Sequence, residues 1–198
     1  EFTGNFGYSL IPRISLGMSA SVLFGNIQEN EDFSISSASF SLEEETAYSG
    51  VQLGFGTQID VLKNLTIGST IKLPTTLNGN LKRSTYKTLE YNSVTIEDQA
   101  EDDAADFKLP MQFGLGFSSR LFNNQLTING DYKKSFWDNT NQTDHIGTYT
   151  DQNIYGIGLE YTNGARNKSY FKRISYRAGF NYDDGYLEIN NSKIRNYS

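Results

Sequence analysis

The side chains with chemistry to offer fall into three sets. The first is Gln52, Gln58, Asp60, Lys72, Gln112, Asp131, Lys133, Glu160, Arg173 and Arg177. Amides, carboxylates and cations mixed in this way could line a path for a solute. They fit more simply a structural network in which enclosed charges need opposite partners, with Glu160 meeting Arg173 roughly across a turn. The second set is Glu97, Asp98, Glu101, Asp102, Asp103 and Asp106. Clustered oxygens suit a hard cation such as Ca²⁺, and Glu101, Asp102, Asp103 and Asp106 are the candidate ligands. The glycine and ligand spacing of a recognised calcium loop is absent, so the run reads first as a solvated acidic loop. The third is His145, the only histidine of the chain, beside Asp144. Acyl transfer and zinc chemistry both need a second group at a persuasive spacing, and none stands there. These residues nominate no nucleophile, no cofactor and no enzyme.

What must position the first set is a two-residue alternation that returns segment after segment. In Leu109–Ser118, Leu109, Met111, Phe113, Leu115 and Phe117 share one parity, and Gln112, Gly114, Gly116 and Ser118 the other. Side chains of a strand point to opposite faces with period two, so this is a sheet with one greasy surface and one small, polar surface. After Asn123-Asn124 the apolar positions move from odd to even: Leu126, Ile128, Tyr132 and Phe136. A two-residue hairpin loop there sets Leu115 across from Tyr132 and Met111 across from Phe136, which is the parity switch such a turn requires. On the polar face Asp131 then lies across from Gly116 and Lys133 across from Gly114. The greasy face comprises Leu53, Phe55, Ile67, Met111, Phe113, Leu115, Phe117, Tyr132, Ile157, Tyr176 and Phe180. These are the expected lipid-facing residues of a membrane barrel, and the first set above its lumen-facing ones.

Mean hydropathy is −0.52, and nowhere do about eighteen apolar residues run together to make a spanning helix. A barrel strand needs only about ten residues, half of them apolar, so a low average is expected of such a protein. Thirteen Tyr and 13 Phe stand against one Trp, a bias toward rings that sit at headgroup level. The absence of cysteine fits an exported bacterial protein. A net charge of −6 argues against nucleic acid as a partner.

The alternation predicts about eight antiparallel strands: Thr3–Leu10, Arg13–Phe24, Ser49–Val61, Asn64–Leu73, Phe107–Leu121, Gln125–Trp137, Asn153–Thr162 and Phe171–Asp183. Connections alternate in length. Those at Ile11-Pro12-Arg13, Leu62-Lys63-Asn64 and Asn123-Asn124 are tight, and those over 26–48, 74–108 and 138–152 are long. Outer-membrane barrels have short periplasmic turns and long extracellular loops, which orients the chain. Asp32–Leu42 and Asn80–Tyr91 still alternate and read as hairpins projecting above the bilayer. Residues 163–170 make a longer turn, and Asp183-Asp184-Gly185 is a turn or bulge signal. No closing strand is visible, and an open edge in lipid is costly, so residues 1–198 are expected to be one partial barrel domain with segments missing at one or both ends.

Four runs carry a family resemblance: Tyr48–Gly56 (YSGVQLGFG), Asn64–Pro74 (NLTIGSTIKLP), Leu109–Phe117 (LPMQFGLGF) and Tyr176–Tyr182 (YRAGFNY). They resemble outer-membrane transport proteins of the FadL/TodX type, with the flavour of Bacteroidota members. The resemblance implies a roughly fourteen-stranded barrel, plugged by an N-terminal hatch, that passes hydrophobic molecules. The hatch's Asn-Pro-Ala signature does not occur in these residues. Some relatives are instead subunits of larger outer-membrane machines for secretion or barrel assembly.

Three functions follow. The first is a passive outer-membrane channel for hydrophobic or small solutes. The second is a non-transporting barrel subunit of a larger complex. The third is a soluble antiparallel sandwich or adhesin-like module, whose greasy face would then be a dry core. Expected partners are outer-membrane lipid and lipopolysaccharide, a hydrophobic small molecule, and other complex subunits.

Overall fold

The computed structural model describes residues 1–36, 38–89, 92–143, 147–162, 174–190 and 192–198. They form an all-β chain of antiparallel strands with a single 3₁₀ turn at Trp137–Thr140. The strands are β1 (Phe2–Ile11), β2 (Ile14–Ile35), β3 (Ala38–Leu62), β4 (Leu65–Lys72), β5 (Thr75–Leu89), β6 (Asn92–Leu109), β7 (Gln112–Leu121) and β8 (Leu126–Ser135). There follow β9 (Thr148–Tyr149), β10 (Gln152–Thr162), β11 (Ser175–Asp183), β12 (Leu187–Ile189), β13 (Ser192–Lys193) and β14 (Asn196–Tyr197).

The residues group into two compact units. One comprises Glu1–Thr3, Ser21–Gln52 and Thr75–Lys108, and the other Gly4–Ala20, Leu53–Pro74 and Leu109–Ser198. In the larger unit hydrogen-bonded neighbours run β1-β2-β3-β4-β7-β8-β10-β11-β14, and β13-β12-β9 make a small second sheet. The register is the one the Asn123-Asn124 turn demands: Leu115 faces Tyr132, Gly116 faces Asp131 and Gly114 faces Lys133. Phe136 donates its N–H to the Met111 carbonyl at 2.9 Å, which carries the same register one step past β7. Both asparagines are left-handed, at φ 56° and 65°, as a tight hairpin turn needs. Phe122 shares that region at φ 52°, where a bulky side chain is uncommon.

The smaller unit is built from the far halves of β2 and β3 and from β5 and β6, with β3 pairing β5 and β5 pairing β6. The segments 26–48 and 74–108, expected as long loops with alternating stretches, are therefore strand almost throughout. β2 and β3 reach 22 and 25 residues. The strand expected over Phe107–Leu121 is divided at Pro110, and Pro74 likewise separates β4 from β5. Proline has no N–H to give a ladder, so it ends each run. Inside this unit Glu44 accepts from Arg83 Nε at 2.7 Å, and that bond raises the guanidinium above its ordinary pKa. Tyr48 and Phe107 meet edge-on with ring centroids 6.3 Å apart.

Among the described residues the one buried apolar side chain larger than a hydrogen is Pro110, and no aliphatic, aromatic or methionine side chain is buried. A sandwich needs a dry core between two sheets, and the described residues form none. The greasy face stays open, with Ile157 52% and Phe180 53% exposed.

Candidate functional site

The polar face of the larger unit is a grid set by strand register. Lys72 lies across from Gln112, and Gln112 from Ser135. One step along, Gly114 stands between Thr70 and Lys133. In the next row Gly116 stands between Gly68 and Asp131, with Gly156 beyond. Glycines thus stand beside Thr70, Asp131 and Lys133 and give each one room. The Asp131 carboxylate lies over Gly156, where a Cβ would come within 2.6 Å of Oδ2. Thr70 Oγ1 covers Gly114 at the same distance. The result is a cleft of about 810 Å³ whose wall includes Gln58, Lys72, Gln112, Asp131 and Lys133. Among the described residues neither Lys72 nor Lys133 forms an ion pair.

Among the described residues of the first set, Gln52, Asp60, Glu160 and Arg177 do not line the cleft. Asp60 accepts from Thr66 Oγ1 at 2.7 Å. Gln52 is buried in the smaller unit. Glu160 is paired with Arg177 at 2.9 Å, and their Cα atoms are ladder partners. The sequence reading expected Arg173 in that place. The β10–β11 register couples 160 to 177, four residues further along, and Arg173 lies outside the described residues.

The acidic set also changes character, because it sits on β6 rather than in a loop. Successive strand side chains point to opposite faces, so Glu101, Asp102 and Asp103 cannot converge on one ion. Glu101 reaches Lys82 at 3.7 Å instead. Among the described residues no group of three or more His, Asp or Glu is placed to hold a metal. His145 and Asp144 lie outside the described residues, as does the turn expected over 163–170.

Sequence reading missed the order on the opposite, apolar face. Tyr132, Tyr155, Tyr182 and Tyr197 form a ladder across four neighbouring strands, with ring centroids 5.1, 6.1 and 5.3 Å apart. One row further on stands a polar band. Lys134 pairs with Asp151 at 3.0 Å, and Asn153 donates from its backbone N and Nδ2 to Asp184 at 2.6 and 2.8 Å. Tyr132 donates its hydroxyl to Asn153 Oδ1 at 2.8 Å, which ties ladder to band. Beyond the band Trp137 stacks on Tyr186 at 5.2 Å and meets Tyr149 at 5.3 Å. The signal for the ladder was there as a tyrosine at one height in each strand, but it needs the register to be seen.

An antiparallel sheet with a glycine-rich polar face and an uncovered apolar face is the fold that this chain shares with solved outer-membrane β-barrel proteins. The toluene transporter TbuX of Ralstonia pickettii matches it at 17% identity over 93% of this chain and 55% of that one, with a TM-score of 0.60. The Pseudomonas putida toluene transporter TodX matches at 13% over 93% and 54%, with a TM-score of 0.65. A Pseudomonas aeruginosa FadL homologue matches at 15% over 94% and 49%, with a TM-score of 0.64. The chain spans about half the length of these solved channels. No curated protein sequence matches it. The BamG family model matches residues 2–198, and the chain belongs to that family.

Proposed function

We propose that this chain is a bacterial outer-membrane barrel wall, and that it serves as a non-transporting, non-enzymatic subunit of a barrel-assembly machine. The observation that carries this reading is the match to BamG, a barrel-assembly-related family, over essentially the whole chain. The length of β2 and β3 supports it: about ten residues cross a bilayer, and these strands have 22 and 25, so each has residues to spare for a partner. In this reading Gln58, Lys72, Gln112, Asp131, Lys133, Glu160 and Arg177 face the lumen. Leu53, Phe55, Ile67, Met111, Phe113, Leu115, Phe117, Tyr132, Ile157, Tyr176 and Phe180 face lipid, and the tight turns are periplasmic. Gentle detergent extraction of the full-length protein, size separation and mass spectrometry test it. Stoichiometric comigration with barrel-assembly components is expected. A barrel running alone overturns it.

A second reading, a passive channel for hydrophobic solutes, is favoured by the glycine-floored cleft of about 810 Å³ and by the fold shared with toluene transporters. Uptake of toluene into vesicles holding the full-length protein tests it. Uptake equal to that of empty vesicles removes it.

A further inference from the structure

The polar face of β4, β7, β8 and β10 carries two lysines without a counter-charge. Among the described residues neither Lys72 nor Lys133 makes an ion pair or a side-chain hydrogen bond. Carboxylates stand on the same face, and each is held elsewhere. Asp60 accepts from Thr66, and Glu160 from Arg177. Asp183, in the row of Lys133 through Ile154, accepts from Gln152 Nε2 and from the Gly185 N–H. Asp131 is only two residues from Lys133, yet its carboxylate lies toward β10, over Gly156 and away from β7.

Both lysines can reach one place. Lys72 on β4 lies across from Gln112 and Lys133 on β8 across from Gly114, so β7 runs between them. Two strand spacings of about 4.8 Å and one row of about 7 Å set their Cα atoms about 12 Å apart, and each four-carbon stem spans roughly half of that. Both line the cleft of about 810 Å³. Between them Gly114 contributes no side chain, and the Thr70 hydroxyl lies over it, 2.6 Å from where a Cβ would stand. Two ammoniums, a hydroxyl and the Gln112 amide thus surround the space above Gly114, and all of them can donate hydrogen bonds.

We propose that this place binds a doubly charged oxyanion, the phosphate group of free phosphate or of a phosphate ester. Cations gathered at one place repel each other, and an anion between them removes that repulsion. Two ammoniums match the two charges of phosphate, where a carboxylate would balance only one. Thr70 and Gln112 donate to the oxygens that the lysines leave. Gly156 keeps Asp131 from taking the anion's part, because a side chain at 156 would push the carboxylate back toward Lys133. Such a site needs only the register of these four strands, so it goes beyond both functions proposed above and stands with either.

The test titrates the full-length protein in detergent micelles with inorganic phosphate and follows the phosphorus NMR line width, at a pH about two units above the second phosphate pKa of about 6. Saturable broadening is expected. Lys72→Gln and Lys133→Gln should each weaken binding about fivefold, the effect of one charge at contact distance in water, and singly charged acetate should bind the unaltered protein about fivefold more weakly than phosphate. Gly156→Ala should weaken phosphate binding by swinging Asp131 inward, and adding Asp131→Asn to it should restore the affinity, which a merely structural loss would not allow. Each variant is first checked for the heat-resistant folded band on a gel. Glycerol phosphate separates the sources: binding as tight as that of inorganic phosphate assigns the site to a phosphate carried on a larger molecule, and its exclusion assigns the site to free phosphate. No saturable broadening with the unaltered protein, an affinity that both lysine substitutions leave in place, or acetate bound as tightly as phosphate overturns the proposal.

Discussion

Single residues on this wall act mainly by leaving or taking space. Gly185 is the sharpest case, because its φ is +78° and the Ile194 carbonyl oxygen occupies the space a Cβ would take. Gly185→Ala should therefore destabilise the small β9–β12–β13 sheet by about 1–3 kcal/mol, read as a lower unfolding midpoint of the detergent-extracted protein. Ion pairs contribute less. Glu160 and Arg177 hold good geometry, yet Arg177 is 74% exposed, and an exposed pair gains little from its charges. Glu160→Gln should leave the unfolding midpoint unchanged within error, and a large fall would mean that the pair is enclosed in the complete protein.

At the scale of elements, register decides which chemistry goes where. The Asn123-Asn124 turn sets Asp131 and Lys133 on the polar face, and a slip of one residue would exchange the two faces of β8. Inserting one alanine between these asparagines should abolish the heat-resistant folded band on a gel. The milder Asn124→Gly should be tolerated, because glycine accepts the left-handed backbone that Asn124 adopts at φ 65°. Proline has the complementary role. Pro74 and Pro110 end β4 and β6, so the β5–β6 hairpin is an excursion between two strands, β4 and β7, that pair directly with each other.

For the whole molecule, charge is divided unevenly. The smaller unit carries 14 Asp and Glu against four Lys and Arg, and the larger one nine against 13. The net −6 thus hides a strongly acidic smaller unit and a mildly basic larger one. Exposed charges are screened beyond about 10 Å at 0.1 M salt, so a partner held by the smaller unit should dissociate as ionic strength rises. Copurification at 0.1 and 0.5 M salt checks this, and a partner retained equally at both would place the contact on an apolar surface instead. Excising residues 31–40 from the β2–β3 hairpin should weaken copurification while leaving the folded barrel band intact.

Alternation alone was enough to determine the class of fold, the two faces and the register of the β7–β8 hairpin. Period two is local, and a tight turn passes it unbroken from one strand to the next. The grouping of Gln58, Lys72, Gln112, Asp131 and Lys133 in one cleft, the choice of Arg177 as partner for Glu160 and the tyrosine ladder were decided only by tertiary structure. Each depends on which residue of one strand stands beside which residue of another, across connections too long for turn geometry to set the register. The acidic run was misplaced for the same reason, since nothing local says that Asn92–Leu109 finds an edge of β5 to pair with. Composition and spacing name the side chains a wall will show, and the ladder between strands decides which of them meet.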